Sequence, residues 1–93
     1  MPRDFQHNQE VRESVYWRVL QGAADASIRF DNLRSLLAAL GFTERIKGSH
    51  HIFARPDVAE ILNVQSRGSL AKPYQVKQVR NVILRYKLGQ GTE

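Results

Sequence analysis

Three side chains in this sequence titrate near neutral pH without help from their surroundings: the imidazoles of His7, His50 and His51. His7 stands in a polar N-terminal stretch and reads as a solvated surface residue. His50 and His51 follow Gly48-Ser49, which places two imidazoles at the mouth of a hairpin. Adjacent strand residues face opposite sides, so the pair is poorly disposed to chelate one metal ion. No His-x-x-x-His spacing or carboxylate cluster accompanies them, and neither a metal site nor a cofactor is expected. Cysteine is absent, which excludes disulfides, thiolate zinc sites and cysteine nucleophiles. Ser49 directly precedes His50, but there is no nucleophile-elbow motif and no evident third triad member. Gly-rich phosphate loops are missing as well. What remains is a histidine general acid or base beside cationic side chains. RNA cleavage needs that pairing, since one group must move a proton while cations hold the phosphate. A histidine pair in a hairpin is also a common polar surface feature, and the residues alone favour that plainer reading.

The charge has a direction along the chain. The net charge is +5, and residues 61–93 hold six basic side chains against Glu93 alone, while the first 60 residues balance. An anionic partner such as RNA or DNA fits this excess, and a solubilising basic face accounts for it equally well. At 93 residues the chain is long enough for one small domain with a thin core. No apolar run approaches the about 20 residues of a membrane span. Met1-Pro2-Arg3-Asp4 lacks the layout of a secretory signal, so a cytoplasmic protein is expected.

The elements that must position these groups can be read from periodicity. Val11, Val15 and Val19, with Tyr16 and Leu20 alongside, predict a helix over Glu10 to Gln21 that stops at Gly22. Ala23 to Arg29 reads as a connector. A second helix is expected to be capped by Asp31, to carry Leu33, Leu36, Leu37 and Leu40 on one stripe, and to end at Gly41. Thr43 to Lys47 and His50 to Arg55 form the arms of a hairpin, and Pro56-Asp57 breaks the run. Glu60 to Gln65 alternates as a third strand with one wet face. Gly68 to Lys72 is expected as a loop. Pro73 opens a closing helix with Val76, Val79, Ile83 and Tyr86 on its apolar stripe. The order is α-α-β-β-β-α, an α+β chain whose three-stranded antiparallel sheet is covered by its helices.

Parity separates the two histidines. His51 shares a side of its strand with Phe53, and His50 shares the other with Ile52. If Phe53 enters the core, His51 points inward and His50 outward.

From Asp31 to Leu88 the sequence resembles the HicA toxin family, the small RNA-cleaving partners of HicB antitoxins. The centre of the likeness is Lys47-Gly48-Ser49-His50-His51-Ile52-Phe53, similar to the family's Gly-Ser-His-x-x-aromatic signature. Leu40-Gly41-Phe42 matches the end of the family's leucine helix. The Val79-Arg80-Asn81-Val82-Ile83-Leu84 run, ending near Leu88-Gly89, resembles its last helix. Two features depart from the pattern. Ile61-Leu62-Asn63-Val64-Gln65 replaces the Val-x-Val-Pro-x-His segment of many members, and Ala71 to Gln78 is unusual.

The resemblance implies a double-stranded-RNA-binding-like α-β-β-β-α core over residues 31–88 within a single domain. Residues 1–30 would be a helical extension and residues 89–93 a flexible tail. It implies an mRNA interferase in which His50 is catalytic, with His51 a secondary candidate inside the same signature, and it implies a HicB-like antitoxin partner. RNA is expected to meet Lys47, Gly48 and Ser49 at the turn, with Lys72, Lys77, Arg80 and Lys87 supplying cations. A non-catalytic RNA-binding module, or an inactive homologue that binds only the antitoxin, is the alternative. A helix-turn-helix DNA reader ranks lower, because strands separate the second and third helices.

Overall fold

The computed structural model describes residues 14–89. Residues 14–21 are helical and are labelled α1. A single 3-10 turn at Asp25–Ser27 leads into α2, Phe30–Ala39. Three strands follow: β1, Thr43–Lys47; β2, His50–Arg55; and β3, Val58–Val64. A small hairpin of β4, Ser66–Arg67, and β5, Leu70–Ala71, precedes the closing helix α3, Pro73–Tyr86. The chain is α+β, an antiparallel sheet of order β1-β2-β3 flanked by helices. No described helix is long and apolar enough to cross a membrane. His7, the start of the helix expected from Glu10, and the tail beyond Gly89 lie outside the described residues.

The sheet is sided because its side chains alternate. Phe53, Leu62 and Val64 fall on one parity and are buried with Leu33, Leu36 and Leu37 of α2 and Val76, Val79 and Ile83 of α3. Each such side chain contributes about 1.5–3 kcal/mol of transfer free energy on burial. α1 joins the same core through Val15, Tyr16 and Val19, and the buried Tyr16 hydroxyl donates to Leu88 O at 2.8 Å. α3 also shields both ends of the outer edge of β3. The Gln75 carboxamide oxygen accepts the Gln65 N–H at 2.8 Å, and the Tyr86 hydroxyl accepts the Ala59 N–H at 3.2 Å.

Three local expectations are corrected. Asp31 does not cap α2, which starts two residues earlier than that cap implies, with Arg29 as N-cap and no side-chain cap. Tertiary contacts set that start. The Phe30 ring is buried, and its N–H donates to Ser69 O at 3.0 Å. The stretch expected as a loop over Gly68 to Lys72 instead contains β5 and the turn of its hairpin. Ala71 N–H donates to Ile28 O at 2.9 Å, and Arg29 bridges to Leu70, so this hairpin is held from outside its own sequence. β3 begins at Val58, because Arg55 and Val58 pair across Pro56-Asp57. Arg55 also closes α2, with Nη1 donating to Leu40 O at 2.6 Å where the helix carbonyls lack partners. Gly41 follows with φ 95°, a left-handed conformation that glycine adopts without strain.

Candidate active site

The β1–β2 turn projects Gly48 and Ser49 into solvent and delivers His50 to the sheet face opposite the helices. Gly48 has φ 60°, and nothing lies within 4 Å of where its Cβ would be, so backbone conformation alone accounts for glycine here. His50 is exposed and opposes Lys47 in register. Its Nδ1 lies 3.0 Å from Asn63 Oδ1 on β3. Facing a carbonyl oxygen, Nδ1 can only donate, and an imidazole that donates through Nδ1 alone has its lone pair on Nε2.

A chain of amides and a lysine extends this contact. Gln65 Nε2 donates to Ser49 Oγ at 3.1 Å and lies 3.5 Å from His50 Nε2. Lys72 Nζ donates to Gln65 Oε1 at 3.1 Å. One network thus joins Lys72, Gln65, Ser49, His50 and Asn63. Beside it, Arg45 and Lys47 of β1 share the face of His50 and Ile52, as direct cross-strand partners must. Neither cation forms an ion pair among the described residues, and the face formed by Arg45, Lys47, His50, Ile52, Ile61 and Asn63 carries no carboxylate. α3 starts nearby with no acidic residue in its first turn, leaving the positive end of its dipole uncompensated.

His51 faces the other way. Its ring meets Phe30 edge-on at 4.8 Å between centroids, and its Nδ1 lies 2.6 Å from Glu44 Oε2. Glu44 is gripped in turn by Arg34, Nε at 2.8 Å and Nη2 at 3.1 Å. The hydrogen bond from Arg34, aided by that from His51, holds the Glu44 carboxyl below its ordinary pKa, against the opposing effect of burial. His51 is half-buried in a network that ties β1 and β2 to α2, and it does not face the His50 network.

The expected RNA-holding residues divide in the same way. Lys47, Gly48, Ser49 and Lys72 gather around His50. Lys77 is exposed on α3 and forms neither a side-chain hydrogen bond nor an ion pair among the described residues. Arg80 turns toward α1, with Nη1 donating to Asp25 Oδ1 at 2.8 Å and to Val19 O at 3.1 Å, so its charge is compensated inside the fold. Lys87 is the left-handed C-cap of α3, at the far end of a helix about 20 Å long. Arg45, Asn63, Gln65, Tyr74 and Gln78 were not expected at the site. Strand alternation could have revealed Arg45, which has the parity of Lys47. Among the described residues no cluster of three potential metal ligands is present. Comparison of the chain with family models, curated proteins and solved structures gives no match.

Proposed function

We propose that the chain is a HicA-like RNA endonuclease in which His50 is the proton-transfer group. The observation that carries the reading is His50 itself. It is solvent-facing, held through Nδ1 by Asn63, and set on a cationic sheet face without carboxylates. In the reaction proposed, Nε2 takes the proton of a ribose 2′-hydroxyl as that oxygen attacks the adjacent phosphorus. The bond from phosphorus to the 5′-oxygen breaks, the leaving oxygen takes a proton from water, and a 2′,3′-cyclic phosphate forms. Arg45, Lys47 and Lys72 would hold the phosphate oxygens and offset the charge that develops on them. The layout α2-β1-β2-β3-α3, with the β4–β5 hairpin inserted before α3, supports the double-stranded-RNA-binding-like unit that the resemblance implies.

General acid–base catalysis is worth about 10²–10⁴ in rate. His50→Ala should lose cleavage by that factor while keeping the circular dichroism and melting temperature of the parent. RNA bearing a 2′-deoxy sugar at the cut site should resist cleavage altogether. Cleavage that survives both changes sinks the assignment. A HicB-like antitoxin covering the His50 face belongs to the same reading, and co-purification with the product of an adjacent gene tests it.

A further inference from the structure

Between β3 and the first turns of α3 lies a cleft of ≈ 340 Å³ that opens directly beside His50. Its size is at the lower end of small-ligand sites, which span about 300–1,000 Å³. Two of its lining residues are large side chains left in solvent on facing elements: Tyr74 of α3, 59% exposed, and Ile61 of β3, 66% exposed. The rest of the lining beyond His50 is carboxamide, from Asn63, Gln65, Gln75 and Gln78, and it includes neither a carboxylate nor a fixed cation.

The amides differ in what they have left to offer. Gln75 is 4% exposed and committed at both ends, its oxygen to Gln65 N–H and its nitrogen to the Tyr74 hydroxyl at 3.3 Å. Gln65 is occupied by Lys72 and Ser49. Asn63 uses only its oxygen, on His50, and keeps both amide hydrogens. Gln78 makes no hydrogen bond among the described residues and presents a whole carboxamide to the cleft. The cleft therefore combines a flat aromatic face, an aliphatic wall, and unspent neutral donors and acceptors.

We propose that this cleft is a nucleobase subsite, with Tyr74 and Ile61 packing on the faces of one base and Gln78 and Asn63 reading its edge. The inference rests on the RNA reading of the His50 face and adds a substrate class to it. A neutral lining does not attract phosphate, whose cationic partners Lys47, Arg45 and Lys72 stand outside the cleft. A planar ring with hydrogen-bonding edges suits it. The position also fits, because a base in this cleft belongs to a nucleotide whose ribose or neighbouring phosphate lies within reach of His50. A base can enter only when unpaired, so the substrate is single-stranded or looped RNA, recognised by stacking and edge contacts rather than by duplex shape.

The test is binding, measured apart from cleavage. A short fluorescent single-stranded RNA is titrated by anisotropy into His50→Ala protein, alone and combined with Tyr74→Ala, Tyr74→Phe or Gln78→Ala. Loss of a stacked base corresponds to about tenfold or more in Kd, so Tyr74→Ala should weaken binding by that factor, and Tyr74→Phe should restore it. Gln78→Ala should alter the ranking among single-base homopolymers, and duplex RNA of the same sequence should compete poorly. A folded Tyr74→Ala protein that binds as tightly as its parent, or a duplex that binds as well as the single strand, overturns the subsite even if cleavage is intact. Tyr74-dependent binding by a protein that never cuts RNA supports the subsite and refutes the endonuclease.

Discussion

The carboxamide oxygen of Asn63 sits 3.0 Å from Nδ1 of His50, across the β2–β3 pair. Asn63 belongs to the segment where the chain departs from the HicA pattern, yet it supplies the contact that selects the tautomer of the proposed catalytic ring. It is a positioning residue, and its substitution should register in rate and pH dependence rather than in RNA affinity. Asn63→Ala should lower kcat for RNA cleavage by about tenfold, a fraction of the about 10²–10⁴ that the histidine supplies. Asn63→Asp places a negative charge beside the ring, which favours the imidazolium. The acidic limb of the rate profile should then move to higher pH. An unshifted profile for the Asn63→Asp protein would show that the contact does not orient the ring proposed to react.

His51 provides the contrast. Because His51 packs on Phe30 and bonds Glu44, itself held by Arg34, His51→Asn should retain cleavage within about twofold and lower the melting temperature instead. Complete loss of activity in a folded His51→Asn protein would move the chemistry to the other face of the strand.

The Glu44 network carries a pH signature. Its folded pKa is depressed, first by Arg34 and then by His51, so its stabilisation is present above the unfolded value and is lost as pH falls through the folded one. Melting temperature should therefore decline as the pH is lowered below about 4.5, the ordinary glutamate range. Glu44→Gln should cost about 1 kcal/mol at neutral pH, as expected for a half-buried, bidentate pair, and should flatten that acid-side decline. Identical pH–stability curves for parent and variant would show that the network contributes nothing.

The Gly48-Ser49 turn and the Pro56-Asp57 break place β1 and β2 in the sequence, the alternation of Glu60 to Gln65 places most of β3, and the parity of Phe53 correctly turns His51 inward and His50 outward. The β4–β5 hairpin is illegible there, because strands of two residues have no period and the Ile28-to-Phe30 backbone holds this one. The basic excess of the last third suggests a cationic α3. Tertiary structure compensates Arg80 with Asp25 and Arg85 with Glu60, and it leaves Arg45 and Lys47 of the charge-neutral middle segment without ion pairs beside the histidine. The Asn63–His50 and Gln65–Lys72 contacts depend on side-chain reach across register, which residue type alone does not specify.

Two glycines with similar backbone angles should respond differently to substitution. Gly89 has φ 68°, and a Cβ there would come within 3.0 Å of Leu40 Cδ2 and Tyr16 Cε1. Gly48 has φ 60° with open space around it. Gly89→Ala should cost about 2–3 kcal/mol from strain and overpacking together, and Gly48→Ala about 1 kcal/mol from conformation alone. Equal losses in urea denaturation would show that the contact of Gly89 with Tyr16 is easily relieved.

α1 presents the sharpest choice between structure and recognition. Val19 is fully buried, whereas Trp17 is 58% exposed and packs edge-on against Tyr16 at 5.3 Å. An exposed indole is a candidate for stacking on a base or docking an antitoxin, but Arg80 and the Tyr16 hydroxyl tie this helix to the rest of the fold. Removing residues 1–24 should therefore lower stability far more than RNA affinity. Truncation can abolish folding, so point variants carry the test. Val19→Ala should cost about 2 kcal/mol and leave the Kd for single-stranded RNA unchanged. Trp17→Ala should change stability by less than about 1 kcal/mol and RNA affinity by less than about twofold. A folded Trp17→Ala protein that has lost about tenfold in RNA affinity would make α1 part of the binding surface, since a stacked aromatic contributes about 1–3 kcal/mol per base.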